Sequence, residues 1–69
     1  MTFKETLEIA VRDKTMVRYR DKPIDLFTAS AMLNIIKSLS KKNQENVERL
    51  VSTDRGFEKF LNFTWKQYK

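Results

Sequence analysis

The sequence predicts a mostly helical α+β fold: one helix, a short β-hairpin or extended loop, then three helices packed as a small bundle. Three observations carry this. Apolar residues recur at i, i+3 and i+4 in four separate segments, the spacing of one helix face. Residues 15–20 switch instead to alternation, the period of a half-buried strand. Only one Gly and one Pro occur in 69 residues, so breakers are scarce and nothing reads as a linker, repeat or second domain.

The first helix is expected from Phe3 to about Asp13. Thr2-Phe3-Lys4-Glu5 has the form of a capping box, in which hydroxyl and carboxylate each take one orphan backbone donor. Phe3, Leu7, Ala10 and Val11 follow at helical spacing. Val17 and Tyr19 then alternate with Arg18 and Arg20, as a strand requires. Asp21-Lys22-Pro23 reads as the turn, with Ile24-Asp25-Leu26 returning. The favoured Asn-Gly or Asp-Gly pair is missing, so a bent loop packing Tyr19, Ile24 and Phe27 on the helices is the alternative.

Thr28 is placed to cap a second helix, whose wide stripe of Ala29, Met32, Leu33, Ile35, Ile36 and Leu39 marks it as central. Ser40 or Asn43 caps a third. Val47, Leu50 and Val51 give that helix a narrow stripe, suited to lying on the surface. Gly56 either ends it in the left-handed conformation or opens the fourth helix, which runs from about Gly56 to Gln67. Phe57, Phe60, Leu61, Thr64 and Tyr68 share its core face.

Chemistry is limited by residue type. There is no Cys and no His, which removes disulfides, thiolate zinc sites and the usual nucleophile–base pairs. A single Gly cannot make a phosphate-cradling loop. Glu5/Glu8 and Glu45/Glu48 stand at i, i+3, a spacing able to hold a hard cation, yet charged pairs of this kind usually form a solvated helix face. We therefore expect no enzyme activity, no catalytic, cofactor or metal residues, and no small-molecule substrate. The most apolar stretch, residues 29–36, is broken by Ser30 and Asn34 and is far too short to span a membrane. Glu5 and Glu8 interrupt any secretory signal, and the lack of Cys fits a reducing compartment, so the cytoplasm is the expected setting.

What remains is binding. The formal charge is +5, which favours acidic partners. If residues 15–22 are extended, Arg18, Arg20 and Lys22 share one face, a row that could follow a phosphate backbone or merely protect an edge strand. Lys41 and Lys42 add a second basic group at the junction before the third helix. On the last helix, Phe63 and Trp65 flank the core stripe on opposite sides, and with Tyr68 they are the candidate protein interface. A helix-turn-helix reading of the second and third helices offers Gln44, Asn46 and Arg49 as base readers. Glu45 and Glu48 on the same helix oppose it.

In its shortness, its lack of Cys and its Lys and Asn content, the chain resembles bacteriophage accessory proteins that bind host factors or nucleic acid. The likeness covers no defined motif and transfers no site residue. It implies a binding or inhibitory role. The leading expectation is a basic protein-interaction module that engages a protein partner or forms a homodimer; the alternative is DNA or RNA binding through Arg18, Arg20, Lys22, Lys41 and Lys42.

Overall fold

The computed structural model describes residues 2–67. They form α1 (Phe3–Asp13), β1 (Val17–Tyr19), β2 (Lys22–Ile24), α2 (Leu26–Lys37), α3 (Lys41–Leu50) and α4 (Asp54–Gln67), with the two strands antiparallel. The expected α+β class and the element order hold. Tyr68 lies outside the described residues.

The N-terminus of α1 satisfies all of its orphan donors. The Thr2 hydroxyl accepts from the Glu5 amide, and the Glu5 carboxylate accepts from the Thr2 amide. The two amides left between them are taken by a residue distant in sequence. The Phe3 and Lys4 amides donate to the two carboxylate oxygens of Glu48, at 2.9 and 3.0 Å. A helix N-terminus has four such donors and carries partial positive charge, so a carboxylate there is doubly favoured. Glu48 sits on α3, and its contact pins the start of α1 to that helix.

The β segment is a true hairpin, not the bent loop, and its turn is not where the Pro pointed. Val17 pairs with Ile24, Arg18 with Pro23 and Tyr19 with Lys22, which leaves Arg20 and Asp21 as a two-residue turn. Both have positive φ, 52° and 64°, the signature of a type I′ turn. The strand twist selects that turn even though neither residue is Gly or Asn. Pro23 is tolerated because a two-stranded ribbon is all edge. Each left-handed non-Gly residue costs roughly 1–2 kcal/mol. The double change Arg20→Asn, Asp21→Gly is accordingly expected to stabilise the fold by about 1 kcal/mol, raising the melting temperature by roughly 5 °C. An unchanged or lower melting temperature would count against the turn assignment.

Asp25, not Thr28, caps α2. Its carboxylate accepts from the Thr28 amide at 2.7 Å, which sets Thr28 inside the first turn. That charge-assisted bond holds the Asp25 carboxyl below its ordinary value of 3.8. Glu5 is lowered in the same way, first by the bond from the Thr2 backbone. A depressed carboxylate stabilises the fold above its unfolded pKa, and this contribution is lost as pH falls through the folded value. Urea midpoints should therefore fall below about pH 5. Asn caps as well as Asp but does not titrate in this range. Asp25→Asn should flatten part of that slope while nearly keeping neutral-pH stability; an unaltered slope would contradict the assignment.

Ser40 caps α3 through the Asn43 amide, and Thr53 caps α4 through the Gly56 amide. Helix α4 thus starts before Gly56, which occupies its first turn. The core gathers Phe3, Leu7 and Ala10 of α1, Ile24, Ala29, Met32, Leu33 and Ile36, and Val47, Val51, Phe57 and Phe60. At its centre Phe3 meets Tyr19, Phe57 and Phe60 edge to face, with ring centroids 4.8–6.0 Å apart. Val11, expected on the core face of α1, is exposed, as are Leu50 and Phe27. Among the described residues no helix is long and apolar enough to cross a membrane.

Candidate functional site

The hairpin register decides the first candidate surface. Residues directly opposite in an antiparallel pair project to the same side, and neighbours along a strand to opposite sides. Val17, Tyr19, Lys22 and Ile24 therefore share the helix-facing side, while Arg18 and Pro23 face outward. Burial agrees: Arg18 and Pro23 are exposed, Ile24 is buried and Lys22 is half-buried. The expected row of Arg18, Arg20 and Lys22 on one face is thus corrected. It required an extended chain through Lys22, but the reversal comes earlier, at Arg20–Asp21.

Arg20 is also engaged elsewhere. Its guanidinium lies 3.8 Å from the Asp54 carboxylate at the start of α4. Both side chains are well exposed, so the pair contributes at most about 1 kcal/mol, but it places the hairpin tip. The tip sits beside the first turn of α4, close to where α3 ends at Leu50. Lys41 and Lys42 are at the opposite end of α3, some 14 Å away at the helical rise of about 1.5 Å per residue. The two basic groups occupy opposite ends of that helix.

The base-reader set on α3 is likewise committed to the protein's own structure. Gln44 donates to the Leu39 carbonyl and accepts from the Lys4 ammonium. Arg49 donates to Asn46, and Asn46 to Asn43. Glu48, half of a possible cation pair with Glu45, has both oxygens on the α1 amides.

The aromatic candidates separate as expected, and each finds a neighbour that spacing alone did not name. Trp65 packs on Phe27 of α2, with ring centroids 5.6 Å apart. Phe27 stays 68% exposed. On the other side of α4, Phe63 is 46% exposed and stacks at 6.4 Å on Phe60, which belongs to the core. Here an open groove of about 390 Å³ runs between α3 and α4. Leu39, Val47, Leu50, Phe60 and Phe63 line it, with Asn43 and Lys59 at its borders.

The groove follows from how the two helices meet. They join through a short turn, and Gly56 lets them approach closely at that end: a Cβ there would collide with the Leu50 carbonyl. Farther along, Val47 of α3 and Phe60 of α4 line the same furrow, and among the described residues no side chain fills it outside them. Leu50, one turn beyond Val47, remains 39% exposed. The stripe Val47-Leu50 was visible in the sequence as that of a surface helix. Its continuity with Leu39 and Phe63 was not, because that depends on the pairing of α3 with α4.

A second depression, between α1 and α2, is lined by Glu5, Glu8 and Arg12 beside Ile9, Val11, Leu33 and Lys37. Charges of both signs border it, the pattern of a solvated seam. Among the described residues, no group of three or more Asp or Glu side chains is placed to hold a metal ion. Comparison with protein-family models, curated proteins and solved structures finds no match for this chain.

Proposed function

We propose that this chain is a small, basic, non-catalytic binding module of the cytoplasm, of the accessory or inhibitory kind, and that it docks a protein partner in the α3/α4 groove around Phe63. The observation that carries this reading is the groove itself. Five apolar side chains form one continuous furrow, and two of them, Leu50 and Phe63, are left substantially exposed. Burying such side chains against a partner is worth about 25 cal/mol per Å² before the costs of association. An exposed aromatic in an apolar site is also a common anchor of a protein interface.

Nucleic acid is the weaker reading. A phosphate track needs several cations in succession along one surface. Here Arg18 and Lys22 lie on opposite sides of the hairpin, Arg20 pairs with Asp54, and Lys41 and Lys42 stand at the far end of α3.

A peptide-display selection tests the proposal, using the wild-type protein as target and Phe63→Glu as counter-target. The half-exposed position of Phe63 allows that variant to keep its fold, which circular dichroism verifies. Peptides that bind wild type and ignore the variant are expected, with apolar residues at helical spacing. Recovery only of peptides indifferent to Phe63 would overturn the reading. So would single-stranded DNA or RNA binding at moderate salt that Arg18→Ala abolishes and Phe63→Glu leaves intact.

A further inference from the structure

The borders of the groove specify its occupant more closely, given the reading that it docks a protein. Its lining includes Lys59 and no carboxylate. Lys59, Phe63 and Lys66 stand at i, i+4 and i+7 on α4, one stripe along the rim, and both lysines are exposed. At the other border, Leu39 and Asn43 both line the groove, and Lys42 stands about 100° around α3 from Asn43, whereas Lys41 falls on the opposite face of the helix. Lys59 and Lys66 therefore border an apolar furrow, with Lys42 beside it. The acidic residues of the same helices lie off the groove: Glu48 is on the amides of α1, Asp54 is on Arg20, and Glu45 and Glu58 fall on other faces of their helices.

The position of Lys41 and Lys42 strengthens this. Both occupy the first turn of α3, which has no acidic residue. Cations there oppose the positive end of the helix dipole, where Asp and Glu are favoured. Among the described residues, neither lysine has a hydrogen bond or ion pair to offset the arrangement. A carboxylate of the groove's occupant beside this turn would meet the Lys42 ammonium and the helix end together.

Shape adds the form of the occupant. Asn43 and Leu50 are about 10 Å apart along α3, roughly two helical turns. Two adjacent helices with an open furrow between them match a third helix laid along it, with anchors at i, i+4 and i+7. We infer that the α3/α4 groove binds an amphipathic helix with acidic flanks, its apolar face on Leu50, Val47 and Phe63 and its carboxylates over Lys42, Lys59 and Lys66. A second copy of this chain fits poorly, since self-association through the groove would bring its own lysines together.

Two fluorescent helical peptides of about twelve residues separate the possibilities. Both carry Leu at i, i+4 and i+7; the remaining positions are mainly Glu in one and Lys in the other. Fluorescence anisotropy at low salt should show the Glu peptide binding at least about tenfold more tightly, the sum of several exposed ion pairs. The triple variant Lys42→Glu, Lys59→Glu, Lys66→Glu should reverse that preference, and added salt should shrink it. Phe63→Ala should weaken both peptides.

Equal affinities for the two peptides, both lost on Phe63→Ala, would overturn the charge inference and leave the groove as an apolar docking site. Binding of neither peptide would also overturn the inference; whether the groove docks proteins at all is then decided by the display selection. A Glu-peptide advantage unaffected by the triple variant would overturn it as well, because the acidic residues would be bound elsewhere.

Discussion

Gly56→Ala is expected to destabilise the protein by about 3 kcal/mol, at the upper end of what an added methyl group costs in a tight contact. In an ordinary helix the same change stabilises by up to about 1 kcal/mol, because Ala loses less backbone entropy. The sign is therefore diagnostic. A Cβ on Gly56 would overlap the Leu50 carbonyl oxygen and lie 2.8 Å from the carbonyl carbon. Those are backbone atoms, so relief requires the end of α3 to move away from α4. Thermal unfolding should show the melting temperature lowered by roughly 15 °C for a domain of this size. Groove ligands should weaken in parallel, because the furrow is defined by that crossing. A variant as stable as wild type, or more so, would mean that α3 and α4 do not meet this closely.

Glu48→Ala should cost about 2 kcal/mol, since it removes two charge-assisted hydrogen bonds and strands two amides at the start of α1. The bonds are partly buried and close to ideal length. Glu48→Gln keeps one acceptor oxygen without the charge, so it should recover about half of that loss. Urea denaturation measures both. Hydrogen exchange gives a sharper signature, because only the amides of Phe3 and Lys4 should lose protection directly. If both variants match wild type in stability, the carboxylate is solvated and α1 is held by its apolar face alone. Since Glu48 lies one residue from Val47, this contact also fixes the rotation of α3 and hence which of its residues face the groove.

These two residues mark the boundary of what the sequence could reveal. The start of α1 was legible because Thr2 and Glu5 complete a box within four residues. Glu48 completes the same cap from across the fold, and nothing near it in the chain signals that task. Of the two local roles expected of Gly56, it takes the one in the first turn of α4 and not the left-handed end of α3, yet the reason for a glycine there is the Leu50 backbone, a tertiary contact. Helix periods survive in sequence because each buried face is written at regular spacing. Contacts between faces leave no such record.

The hairpin shows how a small local error propagates into a site. Pro23 drew the expected turn toward Asp21-Lys22-Pro23, since Arg20-Asp21 lacks the residues that a type I′ turn prefers. Moving the reversal to Arg20–Asp21 sets Lys22 opposite Tyr19 and dissolves the basic row that supported nucleic acid. Phe63 and Trp65 fared better, because their separation around α4 is a property of the helix alone. That Phe63 joins Leu39 and Leu50 in one furrow, while Trp65 packs on Phe27, depended on the arrangement of neighbouring helices.

The central claim is that partners dock between α3 and α4, and amide chemical-shift mapping tests it most directly. A peptide recovered by display is titrated into the isotopically labelled protein, and two-dimensional NMR spectra are followed to saturation. The account predicts that the largest shifts fall on Leu39, Asn43, Val47, Leu50, Lys59 and Phe63, with the hairpin and Phe27 nearly unmoved. Shifts centred on Arg18 and the hairpin, or on Phe27 and Trp65, with the groove unaffected, would contradict it.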